Sequence, residues 1–452
     1  MKAFLLAIAI YLMAGWALQA ATAQINRDVV HIGERAYLRS HRNISPFNFD
    51  HQLDMSVDSG VIAISGWLEV PDAQEQLGIQ HFDHWLFPLH NPVWVDPDRA
   101  ERAISHSADA RSGRTVAFWG ARTGTGGNWL RIFSSQGEPL APSTLVGHMQ
   151  NAPTRLVGIS ESNVLALIGV QAYSMRWYSI DLQPLGNLTQ FVGPMGGYNT
   201  ISDVEISPES SYAVVSYTNY FSNGQFTRVF YQIVYPDSAF DAPVEVALYD
   251  VVSDCVEILL NDELGIAFSS NPPGVIYLQR RLIDGTVVRA AELDGLYYDV
   301  TFDDQGACVL LTRVSNTLFH LQLLDAQWVA LGPPFDFTEN SGAAPYRVID
   351  DIRKRLAIDN DVVAVLWGAY NGPGAGWYLT SLTPFLPGDM NRDGLVNNFD
   401  IDAFVFALSN LPAYAATYNI PEDAAVIIGD IDEDGALNNF DIDPFVLLLA
   451  GD

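Results

Sequence analysis

Asp203-Val-Glu-Ile-Ser-Pro-Glu-Ser-Ser-Tyr-Ala-Val-Val-Ser-Tyr217, followed by Thr227-Arg-Val-Phe-Tyr-Gln-Ile-Val-Tyr235, is the stretch from which the fold of most of the chain is read. β-Branched and aromatic residues gather in two short runs, and Pro, Ser, Asn and Gly, which suit turns, lie between and around them. The unit is an acidic or polar turn, a hydrophobic strand, a polar loop and a second, aromatic-rich strand. Asp299-Val-Thr-Phe-Asp-Asp-Gln-Gly-Ala-Cys-Val-Leu-Leu311 and Leu356-Ala-Ile-Asp-Asn-Asp-Val-Val-Ala-Val-Leu-Trp367 compare with it, and the other copies begin near Leu53, His106, Leu156, Val256, Asp299 and Ile349, the last of them holding the Leu356 run. Their spacing of about 43 to 53 residues is the length of a four-stranded propeller blade. The fold class is therefore mainly β, and seven copies predict a seven-bladed β-propeller over residues 24–385. In such a ring, neighbouring sheets cover each other's faces and closure leaves no long exposed edge. A pair of β-sandwiches or a β-solenoid competes, but would need strands at about 8 to 12 residues without the longer period.

Charge limits the partners. The 452 residues carry 53 acidic and 23 basic side chains, a formal charge of −30. That charge repels a phosphate backbone and excludes nucleic acid as the expected partner, while an excess of carboxylates suits hard cations. At the start, Lys2 precedes an apolar run from Ala3 to Leu18 and then Ala21-Thr22-Ala23. The pattern predicts an export leader over residues 1–23, cleaved before Gln24, and so a secreted or cell-surface protein. The only cysteines are Cys255 and Cys308, in neighbouring repeats. Either one bridge or two buried thiols fits an oxidising compartment.

The region 386–452 has a different character. Gly388-Asp-Met-Asn-Arg-Asp-Gly-Leu-Val-Asn-Asn-Phe-Asp-Ile-Asp-Ala-Phe-Val-Phe-Ala-Leu408 and Gly429-Asp-Ile-Asp-Glu-Asp-Gly-Ala-Leu-Asn-Asn-Phe-Asp-Ile-Asp-Pro-Phe-Val-Leu-Leu-Leu449 agree at 13 of 21 positions, 41 residues apart, which marks a duplication. Each copy holds a twelve-residue loop of EF-hand type, where oxygen ligands arrive at positions 1, 3, 5, 7, 9 and 12. In the first loop these are Asp389, Asn391, Asp393, the carbonyl of Leu395, Asn397 and Asp400. In the second they are Asp430, Asp432, Asp434, the carbonyl of Ala436, Asn438 and Asp441. Gly394 and Gly435 stand at position 6, where the chain turns sharply. Two calcium ions are the expected cofactors, because magnesium demands tighter octahedral geometry. Ile401, Phe404, Val405 and Leu408, repeated as Ile442, Phe445, Val446 and Leu449, have helical spacing. They predict one amphipathic helix after each loop and none before it. From Leu386 onward 13 acids face a single base, Arg392, so folding of this segment is expected to depend on calcium.

Two loop-plus-exiting-helix repeats, each ending its loop in Asp instead of the Glu of general EF-hands, resemble the type I dockerin family. The resemblance implies a small α-helical module with two calcium loops that plugs a secreted protein into a cohesin-type module, commonly in polysaccharide breakdown. It further implies that loop positions 10 and 11, here Asn398 and Phe399 and their copies Asn439 and Phe440, contribute to partner binding. Packing between the two helices is the competing reading of both phenylalanines. Only Leu382-Thr-Pro-Phe-Leu-Pro-Gly388 separates the last β unit from the first loop, so the module is expected to sit against the propeller. It would then serve as a docking plug or as a calcium-stabilised cap.

No catalytic motif identifies the β domain as an enzyme. If it is one, the dockerin context implies a glycoside hydrolase or polysaccharide lyase. Glycoside hydrolysis needs a carboxylate pair that 53 acids do not single out. His81, His84 and His90 with Asp83 compose a candidate metal or general-base cluster, with packed, hydrogen-bonded histidines as the competing reading. Trp67, Trp85, Trp94, Trp119, Trp129 and Trp177 would stack on sugars if exposed, and would belong to the core otherwise. Ser56-Val-Asp-Ser-Gly60 resembles the start of a sialidase-type aspartate box but has Ala63 where that motif has Trp, so a turn between strands is the simpler reading.

Overall fold

The computed structural model describes residues 25–32, 35–44, 53–68, 76–95, 103–121, 127–147, 154–169, 173–191, 197–221, 227–249, 251–259, 262–270, 275–303, 305–313, 319–336, 356–359, 362–369, 376–392, 396–418, 420, 422–432 and 434–450. The proposed leader and the repeat start at Ile349 lie outside them.

Seven antiparallel sheets form a seven-bladed propeller. Blades 1 to 6 are four-stranded meanders that begin with Asp54–Asp58, Ala103–Arg111, Thr154–Ile159, Gly197–Ile206, Val251–Ile258 and Leu296–Phe302. These first strands, together with Leu356–Asp359 of blade 7, neighbour one another around the axis. Leu53 directly precedes the first of them, and the repeat starts at His106, Leu156, Val256 and Asp299 fall inside the others.

Blade 7 has five strands, in the order Ile25–Ile32, Arg35–Asn43, Gly376–Phe385, Val362–Ala369, Leu356–Asp359. The strand Arg35–Asn43 pairs with Gly376–Phe385 from Ala36 opposite Phe385 to Asn43 opposite Tyr378. Hydrogen bonds between the two ends of the domain therefore shut the ring.

Acidic side chains lock the blades to one another. The Asp54 carboxylate accepts the N–H of Ala108 at 2.9 Å, Asp58 that of Gly113 at 2.7 Å, and Asp109 that of Ile159 at 3.0 Å. Glu257 accepts from Phe302, Asp299 from Leu356 and Asp359 from Gly60, while the Tyr212 hydroxyl donates to Asp262. Each bond crosses from one blade to the next and satisfies a main-chain donor or hydroxyl that packing would otherwise orphan. The apolar clusters follow the same plan, each filling the space between adjacent sheets.

Ser59 and Gly60 both have positive φ, as do Ser112 and Gly113. This is the geometry of a two-residue hairpin turn whose twist matches its strands, so in Ser56–Gly60 the last two residues are the turn and the first three end the strand. A second turn recurs after the third strand of blades 1 to 6. Asp83–Phe87, Ser134–Glu138, Ser179–Gln183, Tyr235–Ala239, Leu282–Thr286 and Asp325–Val329 each close by a main-chain bond between first and last residue. The fourth residue, Leu86, Gly137, Leu182, Ser238, Gly285 or Trp328, is left-handed in every case.

Past Phe385 the chain enters a helical module: α1 (Ile401–Ser409), α2 (Leu411–Thr417), α3 (Glu422–Gly429) and α4 (Ile442–Ala450). Two expectations are corrected here. Helix α3 runs directly into Asp430, so the second loop has a helix on both sides. In α1 the buried residues are Ala403, Phe404 and Ala407, whereas Ile401 and Val405 face solvent, as do Ile442 and Val446 in α4. Small alanines let the helices approach closely, which rotates the buried stripe away from the larger side chains. Phe404 stacks on Phe445, its own counterpart in the duplication, with ring centroids 4.0 Å apart and planes at 10°.

Trp85, Trp119 and Trp177 are core residues, and Trp94 and Trp129 are partly buried. The Trp67 side chain lies outside the described residues. Cys308 is a buried, unbridged thiol, and burial pushes its pKa up.

Candidate metal centre and docking face

In the second loop the carboxylates of Asp430, Asp432 and Asp434 converge, with one oxygen of each within 4.8 Å of the others. Their grouping follows from short local bonds. The N–H of Asp434 donates to Asp430 and Asp432, that of Gly435 to Asp430 at 2.8 Å, and that of Ala436 to Asp434 at 2.9 Å. Gly435 has φ +90°, and an added Cβ would meet nothing within 4 Å, so backbone conformation is what position 6 demands of it. The Asp432 carboxyl is held above the usual carboxylate range by lost solvation and then by the charges of Asp434, Asp441 and Asp430, against the lowering effect of the Asp434 N–H. This group is the only cluster of three or more such side chains within ligand-sharing distance among the described residues.

Asp441 is fully buried and closes the loop. One carboxylate oxygen accepts the N–H groups of Ile431 and Asp432, and the other that of Asn438 at 2.8 Å. Asp400, equally buried, does the same in the first loop through Asn391 and Asn397, each at 2.8 Å. Asn397 and Asn438 in turn accept from the N–H of Phe399 and Phe440. Each trio is a capping box that starts the exiting helix. In the first loop Asp389 is buried and Asn391 half-buried, while Asp393 and Leu395 lie outside the described residues. The Ala436 carbonyl accepts from the Asn438 amide at 2.8 Å.

The donors gathered by the second loop are oxygens only, mostly anionic, on a backbone already turned around them. Such a set fits a calcium-like cation of six to eight ligands better than a metal preferring nitrogen or sulfur.

Beside each loop stands an exposed aromatic residue. Phe399 is 80% and Phe440 76% exposed, so neither packs between the helices. Asn398 and Asn439 are exposed next to them. Ile401 and Val405 continue the first apolar surface, and Ile442 and Val446 the second, with closely matching exposure in both copies.

The histidine segment has another use. His81 bonds His90 at 2.6 Å and Thr115 at 2.7 Å, and His90 bonds the Asn91 carbonyl at 2.6 Å, so the ring nitrogens of this pair are all engaged. Burial first, then the neighbouring His90, pushes His81 down to about 3. Asp83 accepts the N–H groups of Trp85 and Phe87, and His84 points elsewhere, beside Arg392. The four residues do not form a metal site.

A cavity of about 170 Å³ lies on the propeller axis and is lined by Asp58, Asp109, Glu205, Glu257, Asp303, Asp359 and one cation, Arg111. Five of these six carboxylates accept main-chain N–H groups: four in the interblade bonds above and Asp303 from Gln305 and Ala307. Their evident work is architectural. The interblade carboxylates and the six recurrent turns escaped the sequence reading, although the Asp-plus-apolar pairs Asp54-Met55, Asp109-Ala110, Asp203-Val204 and Asp299-Val300 were a visible signal for the former.

No family model matches the chain, and no curated protein does. Solved structures overlap the propeller. A puromycin-hydrolysing peptidase of Mycobacterium tuberculosis aligns with TM-score 0.46 and 10% identity, over 73% of this chain and 51% of that one. Prolyl oligopeptidase B of Galerina marginata gives 0.44 and 8%, over 74% and 49%. A protein of unknown function from Dyadobacter fermentans gives 0.42 and 10%, over 76% and 99%. The chain thus spans about half the length of the two peptidases it is similar to.

Proposed function

We propose that this is a secreted, calcium-binding docking protein, in which the C-terminal module attaches the propeller to a cohesin-type partner and the propeller supplies recognition, with polysaccharide as its target. The observation that carries the reading is the twin exposure of Phe399 and Phe440. Large apolar side chains in solvent mark an interaction surface when they are clustered, and here the same cluster occurs twice beside the same loop. Calcium would neutralise the converging carboxylates and hold each loop in the shape that presents its phenylalanine. Asp389, Asn391, Asp393, Leu395, Asn397 and Asp400 would hold one ion, and Asp430, Asp432, Asp434, Ala436, Asn438 and Asp441 the other.

The test uses the full chain passed over immobilised recombinant cohesin modules of several types, in calcium and then in chelator. Retention in calcium, release by chelator and loss of retention in the Phe399→Ala/Phe440→Ala double variant support the reading. Equal retention by the double variant, or none by any module, overturns the docking assignment.

A further inference from the structure

The two loops are duplicates in sequence but unequal in place. In the first, Asp389 is 8% exposed and Met390 fully buried. In the second, Asp430 and Ile431 are partly exposed and Asp432 and Asp434 are exposed.

Module and propeller together enclose the start of the first loop, whereas Ile431, the second loop's counterpart of Met390, only borders the same cluster. Met390 shares an apolar cluster with Phe404, Tyr414 and Phe445 of the module and with Leu38, Trp85 and Phe385 of the ring. Those three ring residues come from separate pieces: the closing strand Arg35–Asn43, the outer turn of blade 1, and the last strand, Gly376–Phe385. Trp85 stacks on Phe385 with centroids 5.5 Å apart and planes at 9°. In the other five copies of that turn the residue at Trp85's place is Gln136, Asp181, Asp237, Asp284 or Gln327. Blade 1 alone carries a large aromatic there, and it is the blade beside the helical module.

The start of the loop is held equally tightly. The Gly388 N–H donates to the Ile428 carbonyl at 2.8 Å, and a Cβ on Gly388 would lie 2.5 Å from Leu448. The Tyr414 hydroxyl donates to the Met390 carbonyl at 2.8 Å, and the Ser381 hydroxyl to the His84 carbonyl at 2.7 Å. The module therefore packs over the strand pair inside blade 7 that shuts the ring by non-covalent contacts, and over the turn of blade 1 beside it.

We propose that the first calcium site is a clasp for the propeller: an ion held through Asp389 and Asp400 fixes Met390 in the shared cluster and so stabilises ring closure. The second site sits in the solvent-facing loop and leaves ring stability unchanged. This inference rests on the calcium-binding reading above and adds a division of labour between the two ions. A ligand that binds only the folded form raises the unfolding midpoint of whatever it is coupled to, so the prediction is specific to the loop and to the domain observed.

Every tryptophan in the chain precedes Tyr378, so tryptophan fluorescence reports the propeller, including Trp85 at its contact with the module. Thermal unfolding of the full chain is followed by this signal in calcium and in chelator, with calorimetry counting the ions bound. Calcium is expected to raise the propeller midpoint by on the order of 5 °C. Asp430→Ala should bind one ion and keep the rise, Asp389→Ala should bind one ion and lose it, and Trp85→Ala should bind two ions yet lose it. A rise retained by Asp389→Ala or Trp85→Ala, or lost equally by Asp430→Ala, overturns the clasp while leaving calcium binding intact. Wild-type chain that binds no calcium overturns the reading beneath it as well.

Discussion

Asp109 joins three blades, and its replacement is the sharpest test of how the ring is held. One carboxylate oxygen accepts the Ser56 hydroxyl of blade 1 at 3.1 Å, and the other accepts the N–H of Ile159 in blade 3 at 3.0 Å. Hydrogen bonds to a charged acceptor contribute about 1.5 to 3 kcal/mol each, and a buried donor left unmade costs its desolvation. Ile159 is buried, but it and Asp109 line the axial cavity, so water from that cavity offsets part of the loss and the cost falls below the full sum of the bonds. Asp109→Ala should therefore destabilise the propeller by about 3 to 5 kcal/mol. Asp109→Asn keeps the shape but only one acceptor oxygen, and should lose about half of that. Urea unfolding followed by tryptophan fluorescence measures both, with an unchanged slope confirming that the unfolding reaction is the same. A loss below about 1 kcal/mol for the alanine variant, or an asparagine variant as unstable as alanine, would refute the account of carboxylates as interblade locks.

Other outcomes follow from single contacts. Phe399→Ala and Phe440→Ala should each leave stability within about 0.5 kcal/mol of wild type, because surface changes away from packed features cost little; a larger loss in urea unfolding would mean that these rings pack after all. Gly388→Ala should cost about 1 to 3 kcal/mol by overpacking against Leu448 in addition to its left-handed backbone, whereas Gly435→Ala, with open space around it, should cost about 1; the helix signal in circular dichroism reads both. His81 is held neutral when folded and pushed down to about 3, so the unfolded chain binds its proton first as pH falls. Its contribution is complete above the ordinary histidine range near 6.5 and is lost progressively as pH falls toward 3. Melts across that interval should show His81→Phe less acid-sensitive than wild type.

Much of the fold was legible because it is local. A blade is about 45 residues of strand and turn, and its period survives in the placing of residues such as Asp203 and Asp299 even where the strands differ. Ring closure was not legible: Ala36 and Phe385 are neighbours only through a pairing that spans the whole domain, and nothing near either residue announces the other. In the module, the duplicated loops could be read residue by residue because ligand spacing is rigid, yet the buried face of α1 was misjudged. Counting large apolar residues selects Ile401 and Val405, while the structure buries Ala403 and Ala407. The same error had a use, since the side chains left outside are those of the candidate docking face. The histidine segment was noticed for its ring nitrogens, but what matters in it is Trp85.

The sheet that shuts the ring takes its strands from both ends of the domain, and this sets the order of events during synthesis. The strand Arg35–Asn43 is made early, and its partner Gly376–Phe385 emerges only after every other blade. For most of translation the early strand waits with an unsatisfied edge, a hazard for association with other chains. Blades 1 to 6, whose strands pair with sequence neighbours, are free to form meanwhile, so the last step of folding is a search between distant segments and is expected to be the slowest.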